Sequence, residues 1–267
     1  MFRQKVIKAK KSLGQNFLVD QNIIEKITNT IDINDKSILE VGPGTGNLTG
    51  SILKKKPKKI FVVEKDDNLS SILEKKFKNR IVIINKDILT INENLISNDQ
   101  LVVFGNLPYN ISTEILCKWI LNLNDKKIWF SKLLLMFQKE VADRIVSKYN
   151  SSNYGRLSII SNWKLDIEKI IDIKPNCFFP KPKVESSLLK FTPKKKFFEL
   201  KDPNNLEKIT RIFFNHRRKM IKKPFYQIFS KNIDILEKLN ISLDLRPQNL
   251  NFETYYKLTR EYEKLRR

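Results

Sequence analysis

The apolar run Ser37-Ile38-Leu39-Glu40-Val41 breaks directly into Gly42-Pro43-Gly44-Thr45-Gly46-Asn47-Leu48-Thr49, and helical spacing follows through Leu53. A short buried strand, a glycine loop and a helix, in that order, begin a nucleotide-type α/β domain. Glycines stand at alternate positions, and Asn47 occupies the sixth position of the dinucleotide pattern. That departure argues against a pyrophosphate cofactor, while the loop still lets backbone approach a small ligand closely.

Three further strand patterns end in residues of the right chemistry. Lys59–Val63 leads to Glu64, roughly 20 positions after the first glycine, where an acid accepts the hydroxyls of a ribose. Ile81–Ile84 leads to Asn85-Lys86-Asp87-Ile88; Asp87 can accept the exocyclic amine of an adenine while Ile88 packs on the ring. Leu101–Gly105 leads to Asn106-Leu107-Pro108-Tyr109-Asn110, and then to a helix over 114–121 that Ser112 or Thr113 can cap. An amide acceptor, a stiff proline and a flat ring are the tools for gripping a planar, amine-bearing ring. Each feature alone is an ordinary turn or a solvated acid. Together they mark the carboxyl ends of successive strands, where open α/β sheets keep their ligand crevice.

The remaining pattern fills out the domain. Asp20 caps a helix from Gln21 to about Thr30, with Ile23, Ile24 and Ile27 on one face. Gln15-Asn16-Phe17-Leu18 before it reads as a polar loop with a hydrophobic staple, or as a cover over a ligand. Lys132–Gln138 is a strand, and Lys139–Lys148 a helix with Val141, Ile145 and Val146 inward. A helix starts at Tyr154, and Leu165–Ile173 and Val184–Phe191 read as closing strands. Lys-rich Pro193–Asn205 marks a boundary. Beyond it helical spacing dominates, through Leu206, Ile209 and Phe213, then Ile235 to Leu239, then Tyr255, Leu258 and Tyr262, with Pro224 and Pro247 separating helices. The expected division is 1–195, with a basic lead-in, and a small all-α domain over 196–267.

A formal net charge of +22 on 267 residues calls for a polyanionic partner, nucleic acid or an anionic membrane. Part of it is compositional, since Lys crowds even loops such as Lys54–Lys59. Arg211, Arg217, Arg218, Lys219, Lys222 and Lys223 have the spacing of one cationic helical face for phosphates. Two cysteines, Cys117 and Cys177, and one histidine, His216, make neither a disulfide framework nor a zinc site nor a His-based triad. No run approaches the ~18 apolar residues of a membrane span, and no secretory signal follows the basic N-terminus. The expectation is a soluble, cytoplasmic protein.

Gln15-Asn16-Phe17-Leu18, Glu40 through Gly46, Glu64, Asp87 and Asn106-Leu107-Pro108-Tyr109-Asn110 closely resemble the ribosomal RNA adenine dimethyltransferases. Two more segments extend the likeness over essentially the whole chain: the Pro-rich Pro175–Ser186 and the basic Phe213–Lys219. The resemblance is to the small-subunit branch. It implies a class I, Rossmann-like methyltransferase fold, a mostly parallel seven-stranded sheet with a small helical C-terminal domain. It implies S-adenosylmethionine as methyl donor, no metal, and a small-subunit (16S) rRNA hairpin within an immature 30S-type subunit as partner, met by a monomer. By the same resemblance Asn16, Leu18, Gly42, Glu64, Asp87 and Asn106 hold the cofactor. Asn106 and Leu107 orient the target amine, Tyr109 stacks on the base, and Phe178 covers its other face. An adenine methyltransferase acting on large-subunit rRNA or DNA, or a largely non-catalytic ribosome-assembly factor, are the alternatives. DNA enzymes commonly carry Pro where this chain has Leu107.

Overall fold

Ser37–Val41 (β2) and Leu101–Gly105 (β5) are buried at every position, the mark of strands covered on both faces. A computed structural model describes residues 9–10, 13–123 and 128–266 of the chain; most of the basic lead-in (1–8, 11–12) lies outside them. The elements before β2 are Phe17–Leu18 (β1) and Gln21–Thr28 (α1). Between β2 and β5 come Asn47–Lys54 (α2), Lys59–Val63 (β3), Asp67–Phe77 (α3) and Val82–Ile84 (β4). After β5 come Ser112–Leu121 (α4), Phe130–Gln138 (β6), Lys139–Ile145 (α5), Arg156–Lys164 (α6), Leu165–Ile173 (β7), Phe178–Phe179 (β8) and Ser186–Pro193 (β9). The helices Pro203–Phe214 (α7), Lys222–Phe229 (α8), Asp234–Leu239 (α9) and Phe252–Leu265 (α10) follow.

The seven-stranded sheet has the order β4-β3-β2-β5-β6-β9-β7. Its pairs from β4 through β6 are parallel, and β9 runs antiparallel to β6. The expected mostly parallel sheet is therefore present, and the register explains why its loops converge. Val41 pairs with both Val63 and Gly105, and Val63 with Ile84. The first residues beyond these strands, Gly42, Glu64, Asn85 and Asn106, consequently stand at one level.

The chain packs as two compact units. Among the described residues, one is drawn from Met1–Ile115, Ile128–Lys139 and Lys169–Phe191. Its core joins Ile24 and Ile27 of α1, Ile52 of α2, Val62, Leu73, Phe104, Leu134 and Leu188. The Asp20 carboxylate caps α1 by accepting from the Ile23 amide, as its position predicts. The other unit takes Leu116–Lys127, Glu140–Glu168 and Thr192–Arg267. Leu206, Ile209 and Phe213 line the inner face of α7, and Tyr255 and Leu258 that of α10; Phe213 and Tyr255 meet edge to face.

Local expectations fail where side chains choose a backbone other than the obvious one. Ser112 is the first residue of α4 rather than its cap, and its hydroxyl donates back to the Tyr109 carbonyl. In α5 the buried residues are Ala142 and Ile145; Val141 is only half-buried, and the helix ends before Val146, which is half-buried in the turn that follows. Pro224 does not separate helices but sits in the first turn of α8, where its missing N–H costs nothing. The basic run is not one helical face: Arg211 lies in the last turn of α7, Arg217 to Lys219 in the connecting turn, and Lys222 and Lys223 open α8.

Candidate active site

The converging strand ends enclose a cleft of about 990 Å³ of empty space, open to solvent. Asn16, Gly42, Glu64, Asp87, Asn106, Leu107 and Tyr109 all line it. Seven of the nine residues singled out from sequence therefore meet around one space, contributed by segments far apart in the chain.

Each wall has a physical cause. Gly42 has φ +71°, and a Cβ there would stand 3.0 Å from the Asn106 carbonyl oxygen. Gly44 has φ +56°, and a Cβ would meet the Phe17 ring at 2.6 Å. Only glycine follows this path, and it leaves bare backbone facing the cleft. Glu64 is buried, and burial pushes its carboxyl above the ordinary range although the Asp66 and Gly44 amides donate to it at 3.0 and 3.3 Å. Those two bonds fix the carboxylate and leave further lone pairs for ligand hydroxyls. Asp87 accepts the Leu89 amide at Oδ1 and pairs with the Lys65 ammonium at Oδ2, 2.8 Å away. Asn106 Nδ2 donates to the Asn16 carbonyl at 2.7 Å. This bond fixes which end of the amide remains as acceptor. Tyr109 is half-buried, and its Oη shares a 2.6 Å hydrogen bond with Ser186 Oγ; burial raises its phenol pKa.

Two expected residues stand elsewhere. Leu18 is off the main cleft: it is buried in the core, its carbonyl accepts from Asn47 Nδ2 at 2.9 Å, and it lines a smaller cavity beside Gly42, Gly44 and Asn106. Phe178 pairs with Leu18 across the β1–β8 ribbon and is 3% exposed, a core residue that is absent from the cleft wall. Strand alternation turns its neighbour the other way, and Phe179 is 56% exposed.

Gln15 and Glu40 belong to motifs singled out in the sequence without a role of their own, and Asp66 belongs to none of those motifs. Gln15 donates to Asp66 at 3.2 Å, and Lys10 pairs with the same carboxylate at 2.9 Å, so the N-terminal segment is tied to the start of α3. Glu40 is 1% exposed within β2 and lines a smaller cavity under the glycine loop, shared with Gly42, Gly44 and Asn106. Its Oε2 has no hydrogen-bond partner. Burial pushes its carboxyl up to about 7 and Glu64 adds to the push; Thr49 and Lys76 pull the other way without cancelling it. A buried acceptor left without a donor asks for a ligand donor or cation. With a hydroxyl-binding acid, an amine acceptor and bare glycine backbone, the donor set fits an adenosine carrying a cationic amino-acid arm. Among the described residues no group of three or more metal-ligating side chains occurs, and no helix is long and apolar enough to cross a membrane.

Sheet order, switch-point cleft and donor set define a class I methyltransferase of the S-adenosylmethionine-dependent, Rossmann-like kind. The family model for ribosomal RNA adenine dimethylase matches residues 6–264. The chain belongs to that family. It is 64% identical to ribosomal RNA small subunit methyltransferase A of Pelagibacter ubique, over 97% of this chain and 99% of that one. It is 42% identical to the protein of the same name from Ehrlichia ruminantium, over 94% and 95%. Among solved structures, a dimethyladenosine transferase from Plasmodium falciparum superposes with a TM-score of 0.79 at 26% identity, covering 93% of this chain and 98% of that one. The 23S rRNA methyltransferase ErmE shares the fold, with a TM-score of 0.66 at 21% identity, over 94% of this chain and 100% of its own.

Proposed function

We propose that this enzyme transfers methyl groups from S-adenosylmethionine to the exocyclic amines of two adjacent adenosines in a hairpin loop near the 3′ end of small-subunit (16S) rRNA. The observation that carries the reading is the Asn106 amide. Its nitrogen is spent on the Asn16 carbonyl at 2.7 Å, so Oδ1 is the end left to accept hydrogens, beside the Leu107 carbonyl at the cleft.

The exocyclic nitrogen of adenine is a poor nucleophile because its lone pair is delocalised into the ring. Two acceptors that hold its hydrogens turn that lone pair out of conjugation and toward the methyl donor. The base first leaves its stack, and Tyr109 then supports one face. Phe178 covers the opposite face in this reading, which requires the short β1–β8 ribbon to yield as RNA docks. Glu64 accepts the ribose hydroxyls of the cofactor, Asp87 its adenine amine, and Gly42 lies against its amino-acid arm, with Asn16 and Leu18 contributing from the N-terminal segment. S-adenosylmethionine supplies an already activated methyl group. Alignment at in-line distance is then the main contribution of the protein, and no titrating base is needed.

The net charge of +22 and the exposed Arg211, Arg218, Lys219, Lys222 and Lys223 support phosphate contact by the helical region 196–267. Phosphate contacts fix register without reading sequence. The partner in this reading is an immature small subunit in the cytoplasm, met by a monomer. The test is transfer of labelled methyl to undermethylated small subunits, large subunits and DNA in parallel. Label in the small subunit alone supports the reading, and equal or greater label in either other substrate overturns it.

A further inference from the structure

Ser186 has no part in the reaction as described so far, yet it is fully buried and bonded to the aromatic ring that follows Asn106 and Leu107 on the cleft wall. We infer that Ser186 is a positioning residue that holds the Tyr109 ring in place for stacking on the target base; this rests on the function proposed above.

Tyr109 is anchored at both ends. At the backbone end, the Ile111 amide donates to the Pro108 carbonyl at 3.1 Å and the Ser112 hydroxyl donates to the Tyr109 carbonyl at 3.2 Å, closing a tight turn. At the far end, Tyr109 Oη and Ser186 Oγ are 2.6 Å apart. A tyrosine held only by its backbone swings about its first side-chain torsion; fixing the phenol oxygen removes that freedom.

The anchor itself is rigid. Ser186 opens β9 and pairs in register with Gln138 of β6. On one side of it the Lys139 amide donates to the Glu185 carbonyl at 2.9 Å, and the Lys139 ammonium meets the Glu185 carboxylate at 2.6 Å. On the other side Ser187 Oγ donates to Asp172 at 2.5 Å, and Asp172 also holds Lys169 at 2.8 Å. Successive side chains leave a strand on opposite faces, so Ser186 reaches Tyr109 while Ser187 points away from it toward Asp172. Both serines are 0% exposed, so the Ser186 end of the Tyr109 bond is shielded from bulk water. Ordering a stacking ring before the base arrives moves its entropic cost from binding to folding.

The test uses Ser186→Ala, Tyr109→Phe, the double variant and Ser187→Ala, assayed on undermethylated small subunits. Tyr109→Phe keeps the stacking face and removes the same bond from the accessible side, so the test survives a Ser186 variant that does not fold. The expected result is a kcat lowered about tenfold in either single variant, with cofactor KM unchanged. The double variant should be no worse than either single one. Ser187→Ala should retain wild-type kcat. In 13C-tyrosine-labelled protein, the Cζ signal of Tyr109 should move in Ser186→Ala and stay in Ser187→Ala. Losses that multiply to about a hundredfold in the double variant, an unimpaired Tyr109→Phe, or an equal loss in Ser187→Ala would overturn the assignment while wild-type turnover stands. Wild-type protein that methylates no adenine overturns the parent reading, and the role of Ser186 with it.

Discussion

Glu40→Gln should stabilise the protein at alkaline pH and leave it unchanged in acid. The Glu40 carboxyl, 1% exposed with Oε2 unpartnered, is pushed from an ordinary 4.5 up to about 7. The folded state thus binds this proton more tightly than the unfolded chain does. Its contribution to stability is fully present below the unfolded value of about 4.5 and is lost as pH rises through about 7. At about 1.4 kcal/mol per pH unit, the loss amounts to about 3 kcal/mol. Glutamine keeps the shape and never ionises. Urea midpoints of the two proteins should therefore coincide near pH 4.5 and separate, in favour of the variant, up to about pH 7, then run parallel. Glu64 is pushed in the same direction by its own burial, and its repulsion of the Glu40 charge is already contained in the rise of Glu40 to about 7. Lys76, whose ammonium the Glu40 charge supports against burial, trims the gap. The same logic extends to binding: a cation beside Glu40 favours its ionised form, so cofactor affinity of the wild type should rise with pH through about 7, and that of Glu40→Gln should stay flat. A stability gap independent of pH would refute the claim that Glu40 is held near neutrality by burial.

Phe178→Ala should cost about 3–5 kcal/mol in denaturant unfolding, the range for emptying an aromatic site in a core, whereas Phe179→Ala should stay within about 0.5 kcal/mol; equal costs would contradict the opposite facing of the two rings. Gly42→Ala meets both a φ of +71° and a contact of 3.0 Å with the Asn106 carbonyl, and calorimetry should show cofactor binding weakened at least tenfold. Glu64→Ala should abolish cofactor binding while subunit binding is retained; loss of both would mean that Glu64 supports the fold rather than the ligand. Replacing Arg218, Lys222 and Lys223 by Gln should lower the slope of log affinity against log salt by about 0.7–0.9 for each phosphate that is no longer neutralised, and an unchanged slope returns these residues to a solvated surface.

The centre of the sheet was legible because β2, β3 and β5 are buried on both faces and read as short apolar runs; β7 is partly exposed along its length, yet it too begins and ends within a residue of the pattern. Most of the residues singled out from sequence meet at one cleft because Gly42, Glu64 and Asn106 follow their strands directly and the common register brings them level. What stayed hidden depends on contacts between distant segments. The hydrogen bond that orients Asn106 spans 90 positions to Asn16, and the one that holds Tyr109 spans 77 to Ser186. Glu40 reads as an ordinary polar residue in a strand until the sheet closes over it. Phe178 and Phe179 are equivalent by composition, and only the pairing of β8 with β1 decides which one faces the core. The cationic run looked like one helix because its spacing is compatible with one, yet the chain turns at Asn215 through Met220.

The central claim is that the cleft aligns adenine amines of small-subunit rRNA for two successive methylations each. Its most direct test is mass spectrometry of nucleosides after undermethylated small subunits are incubated with the protein and S-adenosylmethionine. Wild-type protein should yield N6,N6-dimethyladenosine at two adjacent positions, and Asn106→Ala should yield none while still binding cofactor. No dimethyladenosine from a wild-type protein that binds S-adenosylmethionine, or undiminished product from Asn106→Ala, would contradict it.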